Sequence, residues 1–142
     1  MKNKLVIITG ASSGIGKACA EKFAREGANL VLAARSSDKL REVAENIARY
    51  GVQVLPVVTD VSIEDDCKRL IKSAISKFGG IDILVNNAGI SMRASFTDLD
   101  TSVLKKVMDV NFWGTIYCTR YAISSIIENK GSIVGVSSIA GY

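Results

Sequence analysis

The sequence predicts an α/β fold, a doubly wound parallel sheet with helices on both faces, and three observations carry that prediction. Five short apolar runs of strand type alternate with helical stripes along the whole chain. The first run, Leu5 to Thr9, is continuously apolar, as a central strand covered by helices on both faces must be. That run breaks into Gly10-Ala11-Ser12-Ser13-Gly14-Ile15-Gly16, three glycines set between a strand and the start of a helical pattern.

After the glycine turn, Ile15, Cys19, Ala20, Phe23 and Ala24 fall on one side of a helix whose other side carries Lys17, Glu21, Lys22 and Arg25. Gly27 ends it one position past the C-cap. Asn29 to Ala34 is the second strand, and the unit from 4 to 34 has the length of a right-handed strand, helix, parallel strand crossover. Ser36 and Ser37 offer a cap for a second helix with the inner stripe Leu40, Val43, Ala44 and Ile47, which Gly51 stops. Val52 to Val58 is the third strand; Pro56 cannot donate to a ladder, which argues for an edge or near-edge place. Ser62, with Asp65 three residues on, forms a weak capping box for a third helix, whose stripe runs from Ile63 through Cys67, Leu70, Ile71, Ala74 and Ile75 to Phe78. Ile81 to Val85 is the fourth strand and runs straight into Asn86-Asn87-Ala88-Gly89.

A long helical pattern then extends from near Leu99 or Thr101 to about Asn129. It is apolar over more than one face, so it needs covering twice, by the sheet and by something else such as another subunit. Gly114 inside it predicts a close approach or a local bend. Ser132 to Val136 is the fifth strand, followed by Ser137 and Ser138 and the last residues to Tyr142.

Composition removes several function classes. Hydrophobic residues make up 48% and charged residues 23%, which excludes a disordered chain. The net charge of +4 is spread over expected helix surfaces, so nucleic acid is not an expected partner. Cys19, Cys67 and Cys118 show no paired spacing and read as small buried hydrophobes of a reducing compartment, with no metal site among them. No signal peptide and no membrane-spanning run are visible, and the cytoplasm is the expected location.

The glycine stretch carries chemistry. Gly10 can turn without steric cost, Gly14 can let the backbone approach a ligand, and Gly16 can let the helix lie against the sheet. The first helical amides, with Ser12, Ser13 and Ile15, then point at whatever anion sits there, and a dinucleotide pyrophosphate fits that arrangement. The plain alternative is an ordinary glycine-rich turn. At the end of the second strand, a site for NAD wants a carboxylate for the ribose hydroxyls, whereas a 2′-phosphate wants that charge removed and a cation nearby. The residues there are Ala34 and Arg35, which favours NADP(H) over NAD(H), the alternative being a solvated arginine at a helix start. Asn86 and Asn87 are either a turn after a strand or part of the nucleotide site, and Asp60 is either a loop cap or a ligand-binding acid.

Taken in order, Thr9 to Gly16, Asp60-Val61, Asn86-Asn87-Ala88-Gly89, Asn111 and Ser138 resemble the short-chain dehydrogenase/reductase family in its common soluble form. The resemblance covers all 142 residues and the amino-terminal part of a family domain. It implies a Rossmann-type dinucleotide-binding domain over 1–142, with strand order 3-2-1-4-5 and further strands missing at the carboxyl end. It also implies that Asp60 and Val61 line the adenine pocket, Asp60 bonding the adenine amino group, and that Asn87, Ala88 and Gly89 lie beside the adenine and its ribose. Ser138 would orient a substrate carbonyl, and Asn111 would hold a water of the proton relay. The family tyrosine and the lysine four residues after it are expected beyond residue 142; Tyr142 follows Ser138 too closely, and Tyr50, Tyr117 and Tyr121 lie on helices. Many phosphate-binding relatives place a second basic residue where this chain has Ser13, so Arg35 acts with less help, from Ser36, Ser37 or Lys39.

The implied activity is hydride transfer between NADP(H) and a carbonyl or secondary alcohol substrate, in a homodimer or homotetramer joined through the long helix 101–129. A non-catalytic nucleotide-binding or regulatory protein is the alternative if the chain truly ends at residue 142. Ser91 to Phe96 would give one wall of the substrate site, with Met92 and Phe96 either lining an apolar pocket or packing in the core.

Overall fold

The computed structural model describes residues 1–93 and 95–138. Tyr142, and Ala94 within the Ser91 to Phe96 wall, lie outside the described residues, as does the side chain of Phe96. Strands β1 (Leu5–Thr9), β2 (Asn29–Ala34), β3 (Val54–Val58), β4 (Ile83–Asn86) and β5 (Ser132–Gly135) form one sheet in the order β3-β2-β1-β4-β5, parallel at every pairing. Helices α1 (Gly14–Arg25), α2 (Ser37–Ala48), α3 (Glu64–Phe78), α4 (Thr101–Met108) and α5 (Gly114–Glu128) connect them. The doubly wound order matches the expected one, and Pro56 sits on β3 at the edge, where its missing N–H is harmless.

The pleat divides β1 and β2 between two cores. Leu5, Ile7, Val31 and Ala33 face Cys67, Leu70, Ile71 and Ala74 of α3 and Cys118, Ala122 and Ile126 of α5. Val6, Ile8, Leu30, Leu32 and Ala34 face Ala20 and Ala24 of α1 and Leu40, Val43, Ala44 and Ile47 of α2. Every residue of β1 is buried, each large aliphatic contributing about 1.5–3 kcal/mol of hydrophobic stabilisation. This double burial is what the unbroken apolar run of β1 encodes.

Side-chain bonds move several boundaries from their expected places. β3 begins at Val54 because the Gln53 N–H donates to Asn29 Oδ1 at 3.0 Å. β4 begins at Ile83 because the Ile81 N–H donates to Ser125 Oγ at 3.0 Å, although Ile81 is wholly buried. Ser62 is not the cap of α3: its N–H and hydroxyl both turn back to Asp60 Oδ1, at 3.0 and 2.6 Å, and Ile63 holds the cap position. The acidic first turn Glu64, Asp65 and Asp66 meets the helix dipole in its place. Ser36 does occupy the cap position of α2, but its side chain makes no capping bond.

The long helical pattern is continuous in direction and broken in hydrogen bonding. A five-residue π-helical turn, Asp109–Trp113, separates α4 from α5. Its two-faced apolarity is real: Val110, Cys118, Ala122 and Ile126 are buried, while Met108, Phe112, Trp113, Ile116 and Ile127 are exposed, Ile127 by 68%. Cys67 and Cys118, remote in sequence, meet between α3 and α5 as buried free thiols. The Cys67 thiol donates to the Val61 carbonyl at 3.4 Å, and its hydrogen bond with Cys118, together with burial, pushes the Cys118 thiol up. No helix among the described residues is long and apolar enough to cross a membrane.

Candidate cofactor-binding site

The carboxyl ends of β1, β2 and β4 open onto a cleft of about 710 Å³. Thr9, the last residue of β1, joins its two sides. Thr9 is 2% exposed; its Oγ1 accepts the N–H of Asn87 and the N–H of Ala88, both at 3.0 Å, and donates to the Val85 carbonyl at 3.4 Å. The Asn87 side chain returns the link, its Nδ2 donating to the carbonyls of Thr9 at 2.9 Å and Gly10 at 3.3 Å. The glycine turn and the Asn-Ala-Gly turn are therefore one hydrogen-bonded body. The sequence marks Thr9 as the strand end and the first residue of the glycine stretch but not as this link; a hydroxyl closing an otherwise apolar buried run is the available signal.

Two glycines in that body, Gly10 and Gly16, have no room for side chains, whereas a Cβ on Gly14 would meet nothing within 4 Å. Gly10 has φ +66°, and a Cβ there would stand 2.8 Å from Asn87 Nδ2 and 2.9 Å from Ala88 Cα. A Cβ on Gly16 would strike the Gly10 carbonyl and the same Asn87 amide. Gly16 therefore sits behind the loop and seats α1 against β1, while Gly10, Ser12, Ser13, Gly14 and Ile15 line the cleft. Ile15 departs from its expected place in the inner helical stripe: it is 60% exposed. Ser13 caps α1 in position only, with no side-chain bond, so the first helical amides remain available at the cleft.

The far end of the cleft is walled by Ala33, Ala34, Arg35, Ser36 and Lys39, with no carboxylate among them. Thr59, Asp60 and Val61 form the adjoining wall. Asp60 is fixed from both sides, its N–H donating to Asp66 Oδ2 at 2.9 Å and its Oδ1 accepting from Ser62, which leaves Oδ2 without a protein donor among the described residues. That backbone bond, aided by Arg69, holds the Asp66 carboxyl below the usual carboxylate range. Val61 carries α5 as well: a Cβ on Gly114 would come within 2.7 Å of Val61 Cγ2, so the close approach expected of Gly114 is made here.

Asn87, Ala88, Gly89, Ile90 and Val110 close the remaining side. Asn111, exposed on the π-helical turn, grips Ile90 by both backbone groups, accepting from its N–H at 2.8 Å and donating to its carbonyl at 2.9 Å. Each polar atom of its side chain is thereby used once, and its backbone carbonyl accepts from Thr115 Oγ1 at 3.2 Å. Asn86, by contrast, anchors the strand end through Nδ2 to Thr119 Oγ1 at 3.1 Å. Ser138 lies on the exposed segment after β5, whose ladder with β4 ends in a bond from the Val136 N–H to the Asn86 carbonyl at 2.9 Å. Of the residues expected at the cofactor, Gly16, Ser37 and Asn86 do not line the cleft, nor do Ser138, Asn111 and Met92 from the expected catalytic and substrate sets. No cluster of metal-ligating side chains occurs among the described residues.

Comparison with known proteins agrees with this geometry. An 11-beta-hydroxysteroid dehydrogenase-like protein of Arabidopsis thaliana is 44% identical over the whole chain, which covers 48% of that relative. An 11-beta-hydroxysteroid dehydrogenase of Pinus massoniana is 43% identical, with 40% of its length covered. The chain thus spans about half the length of the curated relatives it matches. Among solved structures, L-sorbose reductase of Gluconobacter frateurii, in complex with NADPH and L-sorbose, superposes with a TM-score of 0.95 at 35% identity, over 98% of this chain and 54% of that one. An alcohol dehydrogenase of Thermococcus sibiricus in complex with 5-hydroxy-NADP superposes at 0.93 and 32% identity, over 95% and 58% of the two chains. The short chain dehydrogenase family matches residues 4–142, and with the sheet order, the joined glycine and Asn-Ala-Gly turns and these likenesses in hand, the chain belongs to that family.

Proposed function

We propose that the full-length protein is an oxidoreductase that transfers hydride between NADP(H) and a carbonyl or secondary alcohol substrate. The observation that carries this reading is the cleft itself, with uncapped α1 at one end and Arg35, free of any carboxylate neighbour in the wall, at the other. The residues fit a dinucleotide: a Cβ on Gly14, which lines the cleft, would meet nothing within 4 Å, so the loop leaves open space there, and the open helix start suits a pyrophosphate. Amides of α1 with Ser12 and Ser13 would hold the pyrophosphate, Asp60 Oδ2 would accept from the adenine amino group, and Arg35 would bind the 2′-phosphate. When bound, the nicotinamide supplies or takes the hydride.

The chain's own residues have separate jobs in this reading. Thr9 and Asn111 hold the Asn87 to Ile90 wall in place, and Ser138 donates a hydrogen bond to the substrate oxygen, where negative charge develops during hydride addition. The proton donor belongs to a tyrosine and lysine pair beyond residue 142, as the family pattern implies. The relatives named hydroxysteroid dehydrogenases and the NADPH-bound sorbose reductase support the reaction class and leave the substrate of this protein open.

The test is a fluorescence titration of the full-length protein with NADPH and NADH. Arg35→Ala is expected to weaken NADPH by about tenfold or more and NADH little, as for loss of one charge-assisted contact. Equal weakening of both nucleotides would refute the preference for NADP(H).

A further inference from the structure

A phosphate monoester carries a charge of about −1.5 to −2 at neutral pH, so Arg35 alone leaves much of a 2′-phosphate uncompensated. The glycine loop brings Ser12 and Ser13 to the cleft and no cation, and Lys17 of α1 is not among the lining residues. Lys39 is. It is the third residue of α2, on the same wall as Arg35 and Ser36, and neither it nor Arg35 enters a salt bridge among the described residues. Both charges are therefore unspent. Asp38, in the same helical turn, does not line the cleft.

The local backbone favours an anion at the same place. The first bond within α2 runs from the Leu40 N–H to the Ser36 carbonyl at 3.0 Å, so the N–H groups of Ser37, Asp38 and Lys39 have no helical acceptor. Ser36 stands at the cap position without using its hydroxyl. Ser36 and Lys39 thus border the same end of the cleft as Arg35, beside a helix start of matching polarity, and the long lysine stem gives its ammonium reach there.

We infer that Lys39 is a specificity-determining residue that supplies the second positive charge to the 2′-phosphate, replacing a cation in the glycine loop. This rests on the NADP(H) reading above. The arrangement has a converse: a lysine placed at Ser13, exposed at the start of α1 and also in the cleft, should do the same work.

The experiment measures affinities of the full-length protein for NADPH, NADH, adenosine 2′,5′-bisphosphate and AMP by fluorescence and calorimetry. Lys39→Met is expected to weaken NADPH and the bisphosphate about tenfold and to change NADH and AMP by less than about twofold. Lys39→Arg should keep most of the affinity, and Ser13→Lys added to Lys39→Met should restore it. If the unaltered protein prefers NADPH while Lys39→Met leaves NADPH binding unchanged, the role of Lys39 is overturned and the cofactor reading stands. An unaltered protein that binds NADPH and NADH equally overturns both.

Discussion

Replacing Thr9 by valine removes one oxygen from the joint between the two cofactor turns and keeps the side-chain shape. The Asn87 and Ala88 N–H groups, both 3.0 Å from Thr9 Oγ1, lose their acceptor, and Thr9 itself is only 2% exposed. An orphaned buried donor costs about 1–3 kcal/mol. Asn87 and Ala88 are half-buried, so water can recover part of the loss, and the lower end for each gives about 2 kcal/mol in total. For a urea dependence of about 2 kcal/mol per molar, the unfolding midpoint should fall by about 1 M. Far-UV circular dichroism of the full-length protein reads this midpoint. Thr9→Ser is the control, since it keeps the hydroxyl and loses one methyl, worth about 0.8 kcal/mol. NADPH binding adds a second readout, because the released turn is the one that faces the nucleotide in the proposed site, and Thr9→Val should weaken it more than Thr9→Ser. Equal midpoints and equal NADPH affinities for the two variants would refute the joint.

The same structure makes shorter predictions. Asp66 has a folded pKa below its unfolded value of about 3.9, so its contribution is fully present above that pH and is lost as pH falls through the lower folded pKa. Asp66→Asn should therefore cost about 1 kcal/mol near pH 7 and flatten the acid limb of stability against pH; an unchanged acid limb would remove the Asp60–Asp66 bond from the account. Ser138→Ala in the full-length protein should lower kcat by about 100-fold while NADPH affinity holds, as for loss of one donor to a developing oxyanion, and normal turnover would take Ser138 out of the mechanism. We also propose that a second copy of the protein covers the exposed apolar face of α4 and α5; Ile127→Glu should shift the sedimenting species toward monomer, and a monomeric unaltered protein contradicts the proposal.

What the sequence made legible follows from the range over which each interaction acts. β1 and β2 were readable to the residue because double burial forces an unbroken apolar run, and that pattern is local. The glycine loop was readable because Gly10 and Gly16 answer to steric limits that no other residue meets. The Thr9 joint and the Asn111 grip were not, since they link residues 78 and 21 positions apart through side chain and backbone, and such bonds leave no periodic trace. Ser62 failed as a predicted cap for a related reason: its N–H and hydroxyl both donate to Asp60 Oδ1, which turns the side chain back into a local turn and away from the helix amides it would have accepted from.

The long helix was legible in part: its apolarity over more than one face is visible in the sequence, but not which of those faces meets the sheet. Hydrophobicity draws the eye to Phe112, Trp113 and Ile116, yet these are 48%, 43% and 41% exposed. The buried line is Val110, Gly114, Cys118, Ala122 and Ile126, one residue in four and mostly small, and it presents a shallow ridge to α3 and to Val61. Size, not hydrophobicity, decides which face goes inside, because Val61, in the loop between β3 and α3, leaves room only for glycine where α5 begins: at Gly114 a Cβ would stand 2.9 Å from Val61 Cβ. The bulky residues are then displaced outward, where single exposed apolar side chains are ordinary but a continuous line of them along two helical turns is a surface to be covered. One packing constraint thus seats the wall of the cofactor cleft and also exposes the face on which a second copy would dock. Enlarging Gly114 to alanine should consequently disturb both, loosening Val61 in the cleft and tilting the apolar face.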